Sequence, residues 1–285
     1  MTVSGTIRVF DGATAIVTGG ASGIGKALAV ELAKRGCEVV LADLQTELAE
    51  KVVFEIASSG GRAEAVETDV TDFAAMEQLI ADTVERTGRL DYMFNNAGIA
   101  IAGNVIQHGI EDWNQIVDVN LKGVINGTQA AYQVMAGQGF GHIVNTASLA
   151  GLISTPGLVS YAVTKHAVVG LSTSMRAEAA QLGIRVSVLC PGVIRTPILD
   201  AGGKYGKMLM DIPPEKQSRM WKKMRPMPAD VFAGKALRSI ARNKAIIVVP
   251  SWWKILWLVN RLFPAAGIKL AGKSFQNLQK QLGSS

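Results

Sequence analysis

Tyr161 and Lys165 stand four residues apart in the segment Tyr161-Ala-Val-Thr-Lys165. On a helix that spacing places both side chains on one face. A free phenol titrates near about pH 10, and a neighbouring ammonium favours the phenolate and lowers that value. A tyrosine tuned in this way can exchange a proton with an alcohol or a ketone near neutral pH. Such pairs are common on exposed helices, so the pair alone decides little. A second cluster lies upstream. Thr18-Gly19-Gly20-Ala21-Ser22-Gly23-Ile24-Gly25 follows an apolar run and opens a helical pattern. Glycines there permit a tight turn, and a helix N-terminus offers unpaired N–H groups to a pyrophosphate. The spacing is Gly-x3-Gly-x-Gly. Asp43 comes 18 residues after Gly25 and is followed by Leu44. A carboxylate at that place can accept hydrogen bonds from a ribose and would repel a 2′-phosphate, which favours NAD over NADP.

The elements that must position these groups follow from hydrophobic periodicity. Short β-rich runs at 13–17, 38–42, 63–67, 90–94, 142–146, 185–189 and 245–249 alternate with longer segments of helical spacing, such as Ile24-Leu28-Leu32 and Met76-Leu79-Ile80-Val84. Near-continuous apolar strands separated by helices predict a parallel sheet covered on both faces. The expected fold class is α/β: a Rossmann-like, doubly wound, three-layer fold with a seven-stranded parallel sheet. In such a sheet ligands bind at the carboxyl ends of the strands. Ser148 follows the fifth run, Asn95-Asn96-Ala97-Gly98 follows the fourth, and Pro191-Gly192 follows the sixth. Asn120 lies in the helical segment between the fourth and fifth runs. Every one of these polar groups is thereby expected at one rim.

Taken together and in order, these motifs resemble the short-chain dehydrogenase/reductase family over roughly residues 9–250: Thr18-Gly-x3-Gly-x-Gly25, Asp69-Val70, Asn95-Asn-Ala-Gly98, Asn120, Ser148, Tyr161-x3-Lys165 and Pro191-Gly192. The resemblance implies that Tyr161 is the catalytic acid/base and that Lys165 binds the nicotinamide ribose while depressing the tyrosine pKa. It implies that Ser148 holds the substrate oxygen and that Asn120 supports a water joining Lys165 to solvent. For NAD it implies a site built from Thr18, Gly19, Ser22, Gly23, Ile24 and Gly25 at the turn, with Asp43 and Leu44 at the adenosine ribose. Asp69 and Val70 would flank the adenine. Asn96 would lie along the ribose, Ile194 and Thr196 would meet the nicotinamide carboxamide, and Ala97, Gly98, Tyr161, Lys165, Pro191 and Gly192 would complete the cofactor site. The implied activity is interconversion of a secondary alcohol and a ketone. A 3-hydroxyacyl thioester is the alternative substrate, and a catalytically silent NAD-bound scaffold is the alternative outside enzymes.

Composition bounds the rest. The chain has 285 residues, 48% hydrophobic and 18% charged, with 30 Gly and two Cys. That excludes a mainly disordered chain, and Cys37 and Cys190 are too few for a disulfide scaffold or a four-thiolate zinc site. Both read as buried free thiols. His108, His142 and His166 are too scattered for a ligand set and read as turn, strand-edge and helix-surface residues, so no metal is expected. Residues 1–10 lack a basic start and an apolar core, so no secretory signal is expected. The expected location is cytoplasmic, with attachment at a membrane surface left open.

Charge is asymmetric. Residues 201–285 hold 16 Lys/Arg against Asp211, Glu215 and Asp230, while the first 200 residues are net acidic. Residues 1–250 read as one domain, with 199–228 as a methionine-rich lid containing Gly202-Gly203, or else as an ordinary amphipathic helix pair. Residues 251–285 read as an apolar, basic extension. Its stretch 251–263, with three Trp, admits three readings: a peripheral membrane contact, a lid over an apolar pocket, or a helix packed on the body or on another subunit. Nucleic acid is not expected, because the basic residues interleave with Trp and Leu. Helical segments near 114–136 and 161–182, poor in charge, suit a homodimer or homotetramer.

Overall fold

The computed structural model describes residues 6–200 and 205–283. Gly202 and Gly203 lie outside the described residues. Seven strands form the central sheet: β1 (Thr14–Thr18), β2 (Glu38–Asp43), β3 (Arg62–Glu67), β4 (Tyr92–Asn95), β5 (Gly141–Thr146), β6 (Ile184–Pro191) and β7 (Ile246–Val249). Their order across the sheet is β7-β6-β5-β4-β1-β2-β3, and every pairing is parallel. The chain therefore winds outward in both directions from the β1–β4 pair, and the carboxyl ends of the strands open a crevice at that reversal. This is the Rossmann-like α/β fold that the alternation of elements predicts.

Alternation along each strand builds two cores. Ala15 and Val17 of β1 face one side with Val39 and Leu41 of β2, against Leu28 and Leu32 of helix α1 (Gly23–Ala33), Val52 and Ile56 of α2 (Thr46–Ser58), and Phe232 and Leu237 further along the chain. Ile16 and Val40 face the other side, against Met76 and Ile80 of α3 (Phe73–Thr87) and Met135. Period-two side-chain direction produces this split. Each such aliphatic side chain, fully withdrawn from water, contributes on the order of 1.5–3 kcal/mol.

Local rules set the helix ends. Asp72 caps α3 by accepting from Ala74 N and Ala75 N, and Gly88 ends it in the left-handed region with φ 74°. Past β4 come α4 (Ile110–Val117) and α5 (Gly123–Gln138), joined through Asp118–Lys122, a wide turn closed by a bond from Gly123 N to Asp118 O. Single π turns of this kind interrupt α-helices at functional positions. The long α6 (Val159–Ala180) then precedes β6.

Among its described residues, the segment expected as a lid or a helix pair contains α7 (Pro214–Lys223) and two short strands. Gly206–Met208 pairs with Ala100–Ala102, and Met227–Pro228 pairs with Ile194–Arg195. Then come α8 (Ala229–Ala241), β7, α9 (Trp253–Leu262) and α10 (Pro264–Gly283). No described helix is long and apolar enough to cross a membrane. Cys37 and Cys190 are free and buried, as expected. His142 departs from expectation. It sits on the interior strand β5, 1% exposed, and its Nε2 pairs with Ser187 Oγ at 2.8 Å. Burial pushes its pKa down to about 3, so it stays neutral.

Candidate active site

The site begins at the end of β1. Thr18 Oγ1 accepts from Asn96 N at 2.9 Å and Ala97 N at 3.0 Å, and Asn96 Nδ2 donates to Thr18 O at 3.0 Å. One threonine thus ties the β1 turn to the β4 turn. Gly19 has φ 64°, which a side chain disfavours, and a Cβ on Gly25 would overlap the carbonyl oxygen of Gly19. The turn is closed so tightly that only glycine fits there. Asp43 finishes β2 and accepts from Ala21 N at 3.0 Å and from Gln45 N at 2.9 Å. The carboxylate therefore holds the glycine turn in place while lying on the crevice wall.

A cavity of about 1140 Å³ runs along this crevice. Gly19, Ser22, Gly23, Ile24, Asp43 and Leu44 line its β1–β2 end, and Asp69 and Val70 follow at the β3 end. Asn96, Ala97, Gly98, Ser148, Tyr161 and Lys165 line its middle, and Pro191, Gly192, Ile194 and Thr196 its β6 end. Three of the expected site residues do not line it. Thr18 lies beneath as the tie just described, and Gly25 packs against Gly19. Asn120 is fully buried behind Gly98. Its Oδ1 accepts from Ile99 N at 2.8 Å, and its Nδ2 donates to Ile99 O at 2.9 Å and to Thr164 Oγ1 at 3.3 Å. Asn120 is thus a brace between the π turn, the β4 loop and α6.

Tyr161 and Lys165 both sit on α6. Lys165 is buried, and its Nζ donates to Thr146 O at 2.9 Å, at the end of β5. The same ammonium lies 5.5 Å from the centroid of the Tyr161 ring. Burial lowers the Lys165 pKa to about 8. Tyr161 departs from the expected direction: burial pushes its phenol above the ordinary value, and the Ser148 hydroxyl pulls it part of the way back. The loss of hydration acts on the whole phenolate and outweighs a single hydroxyl partner. Ser148 is itself fixed by accepting from Ala150 N at 3.1 Å.

The remaining wall of the cavity is apolar. Met208, Met210, Met220 and Trp221 of the segment after β6 line it, together with Trp253 and Leu256 of α9. Sequence reasoning missed the wall formed by α10. Gly267, Leu270, Ala271, Ser274 and Phe275 all line the cavity, and their i, i+3, i+4, i+7, i+8 spacing is the signal that could have found it. The hairpin of α9 and α10 packs against the body and walls the cavity.

The sequence profile of the short chain dehydrogenase family matches residues 13–204. The chain is a short-chain dehydrogenase/reductase. Among relatives of this short-chain dehydrogenase/reductase, Oxidoreductase UcpA of Salmonella typhimurium is 40% identical over 191 residues, 67% of this chain and 72% of that protein. Cyclohexanol dehydrogenase of Acinetobacter sp. is 39% identical over 191 residues, 67% of this chain and 76% of that protein. A short chain dehydrogenase/reductase from Burkholderia phymatum, solved in complex with NAD, superposes with a TM-score of 0.80 at 30% identity, covering 90% of this chain and 95% of the other. The chain is accordingly an oxidoreductase of this family.

Proposed function

We propose that this short-chain dehydrogenase/reductase interconverts an apolar secondary alcohol and the corresponding ketone with NAD. The observation that carries the reading is the placement of Tyr161, Ser148 and Lys165 on the cavity between the glycine turn and an apolar wall. The donor set suits a dinucleotide: a turn that admits no Cβ at Gly25, a helix N-terminus behind it, and a carboxylate at the ribose position. Asp43 beside the neutral Leu44 supports NAD rather than its 2′-phosphorylated form. Ser22, Gly23 and Ile24 would hold the pyrophosphate, Asp69 and Val70 the adenine, and Ile194 and Thr196 the carboxamide. Bound there, the nicotinamide supplies or accepts the hydride.

The chain's own residues move the proton. Ser148 donates to the substrate oxygen and steadies the charge that grows on it. Tyr161 takes the hydroxyl proton of an alcohol onto its phenolate oxygen, or returns it to the oxygen of a ketone. Lys165 holds the ribose and keeps a positive charge beside the ring. Asn120 positions the β4 loop, and its place behind Gly98 suits the support of a water that leads to solvent. The methionines and the tryptophans exclude water and favour an apolar substrate. Assembly as a homodimer or homotetramer through residues 114–136 and 161–182 and a cytoplasmic location complete the reading.

The test is NADH formation from a series of secondary alcohols of rising chain length, with Tyr161→Phe beside the parent. The expected result is turnover by the parent alone, with kcat/KM rising with apolar size and the variant down by at least about 100-fold. Binding of NADH without turnover of any alcohol would reject the substrate class and move the search to acyl thioesters.

A further inference from the structure

The hairpin of α9 and α10 has two working faces. On α9, Trp253, Leu256 and Asn260 face the cavity. On the opposite side Ile255, Leu258 and Leu262 recur at helical spacing, and each is more than half exposed. Phe263, just after the helix, is 63% exposed, and Trp252, just before it, is 52% exposed and stacks on Trp253. Ile268 on α10 is also exposed. A row of large apolar side chains exposed along one helix face is unusual on a surface that meets only water.

Charge identifies what the patch fits. Lys254 and Arg261 lie seven residues apart on one flank of the α9 stripe, and Lys269 and Lys273 lie four apart on one face of α10. No Asp or Glu occurs after Asp230. A second copy docked here about a two-fold axis would set these cations against their own counterparts, with no carboxylate in the segment to pair them. An anionic lipid surface supplies the complementary charge, and it also accepts apolar side chains a few ångströms below the phosphates. Lysine and arginine stems reach upward past such apolar neighbours.

We propose that α9 and α10 dock this protein on anionic bilayers. Ile255, Leu258, Leu262 and Phe263 enter the interfacial layer, while Lys254, Arg261, Lys269 and Lys273 meet lipid phosphates. The helices lie in the interface and do not span it. The docking does not depend on the reaction assigned above, and its test reads no activity. Its consequence for that reaction is that one hairpin is at once the cavity wall and the membrane contact, so an apolar substrate dissolved in lipid starts next to the pocket.

The experiment is flotation of the purified full chain with vesicles of phosphatidylcholine alone or of phosphatidylcholine mixed with phosphatidylglycerol. The expected result is flotation with the mixed vesicles, reduced by more than about tenfold in phosphatidylcholine alone or at high salt. Two double variants are run beside it, Lys254→Glu with Arg261→Glu and Leu258→Ser with Leu262→Ser. Each is expected to lose flotation while keeping the parent's melting temperature. Because the two sets remove different contacts, a folding defect in one leaves the other to decide. Absence of flotation with the mixed vesicles overturns the proposal. So does flotation that both variants leave unchanged, or a solution dimer of the parent that both variants dissociate, which would assign the face to a second copy.

Discussion

Lys165 Nζ donates at 2.9 Å to the carbonyl oxygen of Thr146, the last residue of β5. The lysine belongs to α6, so this one bond fastens that helix to the carboxyl edge of the sheet. It also leaves the ammonium over the Tyr161 ring, 5.5 Å from its centroid. The position is costly, because the charge is held where water does not reach.

That cost has a pH signature. Burial lowers the Lys165 pKa to about 8 from an unfolded value of about 10.5. Between these values the unfolded chain binds the extra proton, so native stability rises with pH across that window. Below pH 8 both states are protonated and the full penalty applies, on the order of 3 kcal/mol. Lys165→Met removes the penalty along with the bond to Thr146. Thermal melts of parent and variant are therefore expected to converge in the parent's favour as pH rises from 8 to 10, with no such trend below pH 7. A difference independent of pH would show that burial leaves the Lys165 pKa at its unfolded value.

Ser148 and Tyr161 make a second pair with a defined sign. Burial raises the phenol and the Ser148 hydroxyl lowers it. Ser148→Ala removes the lowering contact, so the proposed alcohol oxidation, which would need the phenolate, is expected to shift its ascending, acid-side limb to higher pH. The residual kcat falls by about 100-fold from the lost contact to the substrate oxygen. The pH profile of kcat/KM separates the two effects. A profile that only drops in height would leave Ser148 as a substrate contact without influence on the tyrosine.

The glycine turn gives the sharpest steric prediction. Gly25→Ala places a methyl on the Gly19 carbonyl, and the turn must open. A loss of about 1–3 kcal/mol and of NADH binding is expected, read by melting temperature and by fluorescence titration. Gly272→Ala on α10 is the control. Nothing lies within 4 Å of its added Cβ, and the helix gains up to about 1 kcal/mol.

Much of this site is legible in the residues because local rules build it. Seven apolar runs appear as seven strands, with ends displaced by two residues at most. The polar motifs that follow them land on one rim, because a parallel sheet sends every carboxyl end to the same side. What escaped notice depends on contacts between distant segments. The strand Ala100–Ala102 exists through its pairing with Gly206–Met208. The α10 wall requires a chain that turns back over the cavity after Phe263, and no local propensity records that return. The direction of the Tyr161 shift required knowing how dry the ring is, and two residues four apart on a helix carry no such information. His142 was misplaced for a related reason: from sequence, a strand's rank within the sheet is invisible.

Asp43 carries a last implication. Its carboxylate accepts from Ala21 N inside the glycine turn and also lies on the wall where a ribose would rest. On the proposed reading of the site, preference at the ribose and the shape of the glycine turn are therefore a single inherited trait. Exchanging Asp43 for a small or basic residue, the simplest route to accepting a 2′-phosphate, withdraws the acceptor that holds the Ala21 amide. A lineage changing its cofactor along that route must first supply another acceptor for the turn, and until it does, the new cofactor would meet a loosened seat.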